Sequence, residues 1–141
     1  MALTAYNGKS SSSGGQSQTL IDHTNSSGGV ERIIISFIRT SPDSAVNGYF
    51  NIKWGNASDL VDMKVTYHIS SGKNLAAGPY GYNNDTYNIA QNYQGHSGGG
   101  GGDNGNLPTE VYIANGEKFV LTCYGASHVR GYSILVIPEG S

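Results

Sequence analysis

The sequence predicts an all-β fold, a single domain of about eight strands at the spacings of a sandwich or barrel. Three observations predict it. Glycine is abundant, at 21 of 141 residues, and there are ten tyrosines. The strong helix formers alanine, leucine, lysine and glutamate are sparse, which favours strands and turns. Beyond its opening segment the chain switches repeatedly between short runs on a period of two and turn-rich breaks.

Residues 7–18, NGKSSSSGGQSQ, are low in complexity and have little to bury, so 1–18 reads as a flexible arm and 19–141 as the β-sandwich domain. A strand is expected in QTLIDHT near Leu20. The run ERIIISFIRT, Glu31 to Thr40, is the strongest strand. Ile33, Ile35 and Phe37 point one way; Ile34 and Ile38 point the other. A strand apolar on both faces is covered on both, so Ile34 and Ile38 are candidate interface residues, lying under a long loop or against another subunit. YFNIKW sets Phe50, Ile52 and Trp54 against Tyr49, Asn51 and Lys53. DMKVTYHIS puts Met63, Val65, Tyr67 and Ile69 on its inner face. Ser58 to Met63 is the one plausible helical turn. TYNIA near Tyr87 is a weaker strand. EVYIA, the turn signal Asn115-Gly116 and KFVLTCYG form a hairpin. Gly125-Ala126-Ser127 breaks the chain, and GYSILVIPE is the final strand, ended by Pro138. No internal repeat has a fixed period.

The length suits one domain with its own core. A single cysteine, Cys123, allows no internal disulfide. A net charge of −2 with 13% charged residues offers no basic excess for nucleic acid or an anionic membrane. No apolar run approaches the roughly 18 residues of a membrane span. The opening MALTAYNGKSSSSGGQSQ is polar, so no signal peptide is expected, and the reading is of synthesis in a cytoplasm with a reduced thiol. The sequons at Asn25, Asn56 and Asn84 are read as unmodified.

The stretch GHSGGGGGDNGN, Gly95 to Asn106, contains G-x-S-x-G around Ser97. A nucleophile elbow needs a strand before the serine and a helix after it. Here Gly98 to Gly102 follow, and polyglycine cannot hold a catalytic oxygen to the tolerance chemistry demands. The neighbouring His96 stands where the GDSGG of chymotrypsin-like proteases has aspartate. The stretch therefore reads as a surface excursion. Gly8-Lys9-Ser10 lacks the remaining glycine of a phosphate loop, since Leu3 occupies that position. His23, His68, His96 and His128 are scattered. Asp22-His23 and Asp59 with Asp62 lack a metal-site spacing. No catalytic residue, metal or cofactor is assigned, and the chain is read as a non-enzyme. Cys123 alternates with Phe119 and Leu121 as a buried small hydrophobe. PYGYNNDTYNIAQNYQG, Pro79 to Gly95, carries Tyr80, Tyr82, Tyr87 and Tyr93 among Asn, Gln and Gly. Binding loops use that mixture to hold a glycan or a protein; the plainer alternative is a long polar connection with tyrosines packed on the sandwich.

The tail LPTEVYIANGEKFVLTCYGASHVRGYSILVIPEGS resembles small β-sandwich modules of tailed-phage virions, such as decoration (cement) proteins and fibre tips, and GGVERIIISFIRT is similar to a strand found in them. The resemblance covers about half the chain and consists of strand and turn patterns. It implies a jelly-roll-like or Ig-like sandwich, often trimeric, that binds a capsid or a cell surface and has no active site. The expectation is thus a capsid decoration protein, made in the host cytoplasm and located on the virion. It would associate as a homo-oligomer, a trimer by the resemblance, and bind the major capsid protein or another virion protein, with no nucleic-acid or membrane partner. The alternative is a fibre-tip or lectin-like module that binds a cell-surface glycan through residues 79–95.

Overall fold

A computed structural model describes residues 3–9, 17–40, 46–69, 74–77, 86–88, 109–124 and 129–139. They form ten strands: β1 Thr4–Gly8, β2 Ser17–Thr24, β3 Val30–Thr40, β4 Val46–Asn56, β5 Asp59–Ile69, β6 Asn74–Ala77, β7 Thr86–Asn88, β8 Glu110–Ile113, β9 Lys118–Tyr124 and β10 Val129–Glu139. No helix occurs among the described residues.

The pairing is nested. β1 pairs β10, β2 pairs β9, β3 pairs β8 and β4 pairs β5, all antiparallel. A long hairpin with β4–β5 at its tip has thus rolled up on itself. Lateral pairing of β10 with β3 and of β9 with β4 closes it into two sheets, ordered β1-β10-β3-β8 and β2-β9-β4-β5. This is the jelly-roll form of the β-sandwich. β6 continues the edge of β3 beyond β8 and carries β7, its parallel partner.

Alternation builds the core. Ile33, Ile35, Ile134, Val136, Val111 and Ile113 of the first sheet face Ile21, Phe50, Ile52, Phe119, Leu121 and Cys123 of the second. Each large apolar side chain removed from water contributes roughly 1.5–3 kcal/mol. The expected inner set of YFNIKW and the burial of Cys123 both hold.

Four local expectations change. First, Ile38 is 0% exposed and sits in the core, while Phe37 is only half-buried. The cause is an irregularity: Ser133 pairs Phe37, but the next residue, Ile134, pairs Ile35. Ser36 is an extra residue on β3, and a bulge of this kind shifts the phase of alternation. Ile34 stays outward; Ile38 is not an interface residue on that face. Second, Thr4–Gly8 lies in the stretch expected as an arm, yet it is an edge strand on β10, and Ser17 and Gln18 already belong to β2. Tertiary pairing overrides low complexity here. Residues 10–16 lie outside the described residues. Third, Ser58 to Met63 is not helical: Ala57 and Ser58 form a two-residue turn, and β5 begins at Asp59. Asn56 Oδ1 fixes that turn by accepting from the Ser58 amide at 3.0 Å and its hydroxyl at 2.8 Å. Fourth, Pro138 lies within β10 opposite Glu31. The β1 pairing ends at Val136, so Pro138 sits past the end of that ladder, where a missing donor is tolerated more readily than in the middle of a sheet.

One end of the sandwich is locked by Asn25, which is buried. Its side-chain amide donates to Gly29 O at 2.8 Å and Ile113 O at 3.0 Å, and its Oδ1 accepts from Ser27 N at 2.8 Å. Its backbone bonds both Glu117 and Gly116. The β2–β3 and β8–β9 turns are thereby joined. Gly116 holds the second turn at φ +88°, as the Asn-Gly signal predicts. The Asn25 sequon carries a buried, fully engaged amide, with no free nitrogen for a glycan.

Candidate interaction face

The two outer faces of the sandwich differ in chemistry. On the second sheet the outward residues are mostly polar, with Val120 and Leu60 among them, and several pair with one another. Lys118 Nζ lies 2.8 Å from Asp22 Oδ1, and Lys53 Nζ 3.9 Å from Asp62 Oδ2. Asn51, itself buried, donates to Asp62 Oδ1 and to Met63 O. Lys64 Nζ stands 4.3 Å from the centre of the Tyr49 ring. Such a face is at ease in water.

The first sheet is different. Register places Ala5, Leu135, Ile34 and Glu110 in one row across β1, β10, β3 and β8. The adjacent row runs through Ile137, Arg32 and Tyr112. Leu3 precedes β1 on the same side, one alternation from Ala5. Leu3 is 59% and Tyr112 54% exposed. Ile34, Leu135 and Ile137 are half-buried by their neighbours on the sheet alone. At the other end the Phe37 ring lies across Gly131, where a Cβ would come within 3.0 Å of it. Glycine there lets the ring lie down on the sheet. The charges within the patch close on each other. Arg32 Nη1 donates to Glu110 Oε1 at 3.0 Å, and its Nε lies 3.0 Å from Glu139 Oε1. The guanidinium is held above its usual pKa, first by the Glu110 hydrogen bond and then by the nearby carboxylates.

A second cluster lies at the β1–β2 edge between the sheets. Tyr6 of β1 donates to His23 Nδ1 at 2.7 Å, and His23 of β2, with its proton on Nε2, donates to Glu31 Oε1 of β3 at 2.7 Å. Glu31 is 6% exposed and the His23 side chain 12%. The Tyr6 and His23 rings meet edge to face at 5.6 Å. Burial, then the Glu31 carboxylate, push the Tyr6 phenol up. That is the opposite of what a phenolate nucleophile requires. Both imidazole nitrogens are taken, which favours a polar clasp between the sheets over a ligand site.

Of the residues singled out from sequence, Ile34 belongs to the apolar outer face and Ile38 to the core. Tyr87 is in β7; its side chain and Tyr80, Tyr82, Tyr93, His96 and Ser97 lie outside the described residues. Asp22 and His23 point to opposite sides of β2 and engage Lys118 and Glu31 respectively. Among the described residues, no three His, Cys, Asp or Glu side chains converge as a metal site would need. Burial raises the Cys123 thiol to about 11. Sequence reasoning missed Leu3, Leu135, Ile137 and Tyr112 as a continuous surface. The signal was present in SILVI, which is apolar on both faces like ERIIISFI. It also missed the clasp, although Glu31 falls in phase with Ile33 and Ile35. No protein-family model, curated protein or solved structure matches this chain.

Proposed function

We propose that this protein is a structural component of a tailed-phage virion, a jelly-roll decoration protein that binds the shell as a homo-oligomer and stabilises it. The observation that carries this reading is the apolar outer face of the β1-β10-β3-β8 sheet. Scattered apolar residues are ordinary on a protein surface, but Leu3, Ala5, Ile34, Leu135, Ile137 and Tyr112 are contiguous on one sheet, and a contiguous apolar patch supports an interaction surface. Two further points support it. Jelly rolls serve in viral capsid domains, a fold-level analogy, and the strand patterns of the C-terminal third resemble those of virion accessory modules. The mechanism is adhesion: apolar surface leaves water against neighbouring subunits, and the joined copies clamp the shell.

Labelled protein added to particles that lack it tests the proposal. Saturable co-sedimentation at a fixed ratio, with a rise in the temperature at which the particles release their contents, is the expected result. Protein that stays in the supernatant at every ratio would overturn it.

A further inference from the structure

We propose that the open edge of β5 pairs with β5 of a second copy of this chain, antiparallel and centred on Met63, so that the β2-β9-β4-β5 sheet runs on from one copy into the next. This names a contact between copies of the homo-oligomer proposed above, but it stands on β5 alone and not on the virion reading.

The sheet edges are unequal. β1 has five residues, β8 four and β7 three, and β2 is interrupted by a register shift between Thr19 and Ile21. Short or bulged edges are poor templates for a further strand. β5 has 11 residues, pairs β4 from Asp59 to Ile69 without a register shift and contains no proline. It ends its sheet, so no described strand lies on its other side. The two-residue turn at Ala57 and Ser58 makes Asn56 and Asp59 a hydrogen-bonded pair, and bonded pairs alternate from there. The N–H and C=O groups of Leu60, Asp62 and Lys64 therefore point away from β4, to the open edge. The inner side is uncovered as well. Val61, opposite the core-packed Trp54, is 48% exposed, and no described β5 side chain belongs to the buried core.

Charge selects a second copy and its register. An antiparallel copy keeps outer face beside outer face only when the symmetry axis passes through a residue pair, because a one-residue slip flips every side chain. An axis at Asp62 or at Lys64 sets like charges directly opposite, which destabilises the pair. An axis at Met63 sets Asp62 opposite the copy's Lys64, and Lys64 opposite the copy's Asp62. Asp62 has room for that cation. Its side chain is 54% exposed, Asn51 takes Oδ1, and the Lys53 ammonium is 3.9 Å from Oδ2. Lys64 rests over the Tyr49 ring on the same outer face. On the inner side Met63 meets its own mate, diagonal to the exposed Val61, and a flexible thioether adapts to such a self-contact. Main-chain bonds supply affinity in strand addition, and a two-fold contact closes at two copies.

Light scattering behind size-exclusion chromatography on the full chain, over a concentration series, tests this. The expected mass is twice the 14.8 kDa chain, or an even multiple. Asp62→Lys and Lys64→Asp each set like charges opposite at both symmetry-related positions and should weaken association about tenfold or more. Asp62→Lys/Lys64→Asp restores opposite charges in the same register and should recover association. Far-UV circular dichroism checks that each variant is folded, and Lys64→Asp leaves the Asn51–Asp62 bond in place. In the associated form the Asp62 and Lys64 amides should be protected from hydrogen exchange and lose that protection on dilution. A wild-type monomer at the highest soluble concentration overturns the proposal, as does an odd-numbered oligomer. So do folded single variants that associate as the wild type does, a double variant no stronger than the singles, or an oligomer whose Asp62 and Lys64 amides exchange freely. Protection of those amides in a monomer places the chain's own residues on the edge and also overturns it. Particle binding is scored separately. A monomer that binds shells sinks this proposal alone, while a charge-dependent dimer that binds no shell sustains it and sinks the virion reading.

Discussion

Replacing His23 by alanine should be among the most damaging single changes at the sandwich edge. The side chain joins three strands from two sheets through Tyr6 and Glu31, each at 2.7 Å. Its removal leaves the Glu31 carboxyl, 6% exposed, without its donor. A buried group left unsatisfied costs about 1–3 kcal/mol, more if charged, so about 3 kcal/mol is expected for Glu31 alone. At this chain length that lowers the thermal midpoint by roughly 10 °C. Tyr6→Phe removes only a phenol hydroxyl and leaves a half-buried imidazole nitrogen within reach of water, so about 1 kcal/mol is expected. The decisive variant is His23→Leu/Glu31→Leu. Removing both polar partners together leaves nothing unsatisfied, and apolar replacement of a buried pair is often close to neutral. The double variant should therefore be more stable than His23→Ala. Urea denaturation followed by tryptophan fluorescence from Trp54 provides the assay. Equal costs for His23→Ala and Tyr6→Phe, or a double variant as unstable as the sum of its singles, would refute the idea that an orphaned carboxyl sets the magnitude.

Cys123 should resist iodoacetamide in the folded protein at pH 8 and react on unfolding, because burial holds the thiol neutral. The sign of its linkage follows: with the pKa raised from 9.0 to about 11, its contribution is complete below pH 9 and is lost as pH rises to about 11. Cys123→Ala should flatten that alkaline loss in a pH series of urea midpoints, and an unchanged slope would count against it. Gly116→Ala meets no atom within 4 Å, so its cost is purely that of φ +88°, about 1–2 kcal/mol; Gly116→Asn should cost less, as thermal melts of the pair would show. Asn25→Ala removes the side-chain bonds to Ser27 N, Gly29 O and Ile113 O, so amide hydrogen exchange should quicken most at Ser27, while Gly116, bonded to the backbone carbonyl of residue 25, should change less.

Period-two patterning made the all-β class, the β8–β9 hairpin and most of the core legible, because each inward residue is one of an alternating set. The reading failed where a single residue changes the phase. Nothing in ISFIRT marks Ser36 as an extra residue, since a bulge is defined by the partner strand, and β10 lies about a hundred residues away in sequence. The phase error moved Ile38 from the core to the presumed interface. β1 escaped for a related reason: TAYNG is an unremarkable pentapeptide until β10 offers it an edge. The clasp needs three strands to meet, so Glu31 could be placed on the inner face but not given a partner. Strand order is a matter of long-range pairing, and the nested jelly roll became visible only in three dimensions.

The contrast between the two outer faces carries the functional argument further than the fold does. Both are exteriors of sheets from one sandwich, under one composition and one solvent. On β2-β9-β4-β5 every described lysine has an acidic or aromatic neighbour. On β1-β10-β3-β8, Ala5, Ile34, Leu135, Ile137 and Tyr112 surround the single ion-paired group of Arg32, Glu110 and Glu139. Folding alone does not ask for this asymmetry, since the core is already complete between the sheets. The added apolar surface burdens a free monomer, which it exposes to nonspecific association. Its benefit arises only when the face is covered, and then each buried leucine or isoleucine adds to assembly what a core residue adds to folding. On the proposed reading the face belongs to an assembled state, and replacing Leu3 and Tyr112 together by aspartate is its sharpest test: both are more than half exposed, so a folded variant that still binds particles as the wild type does would refute it.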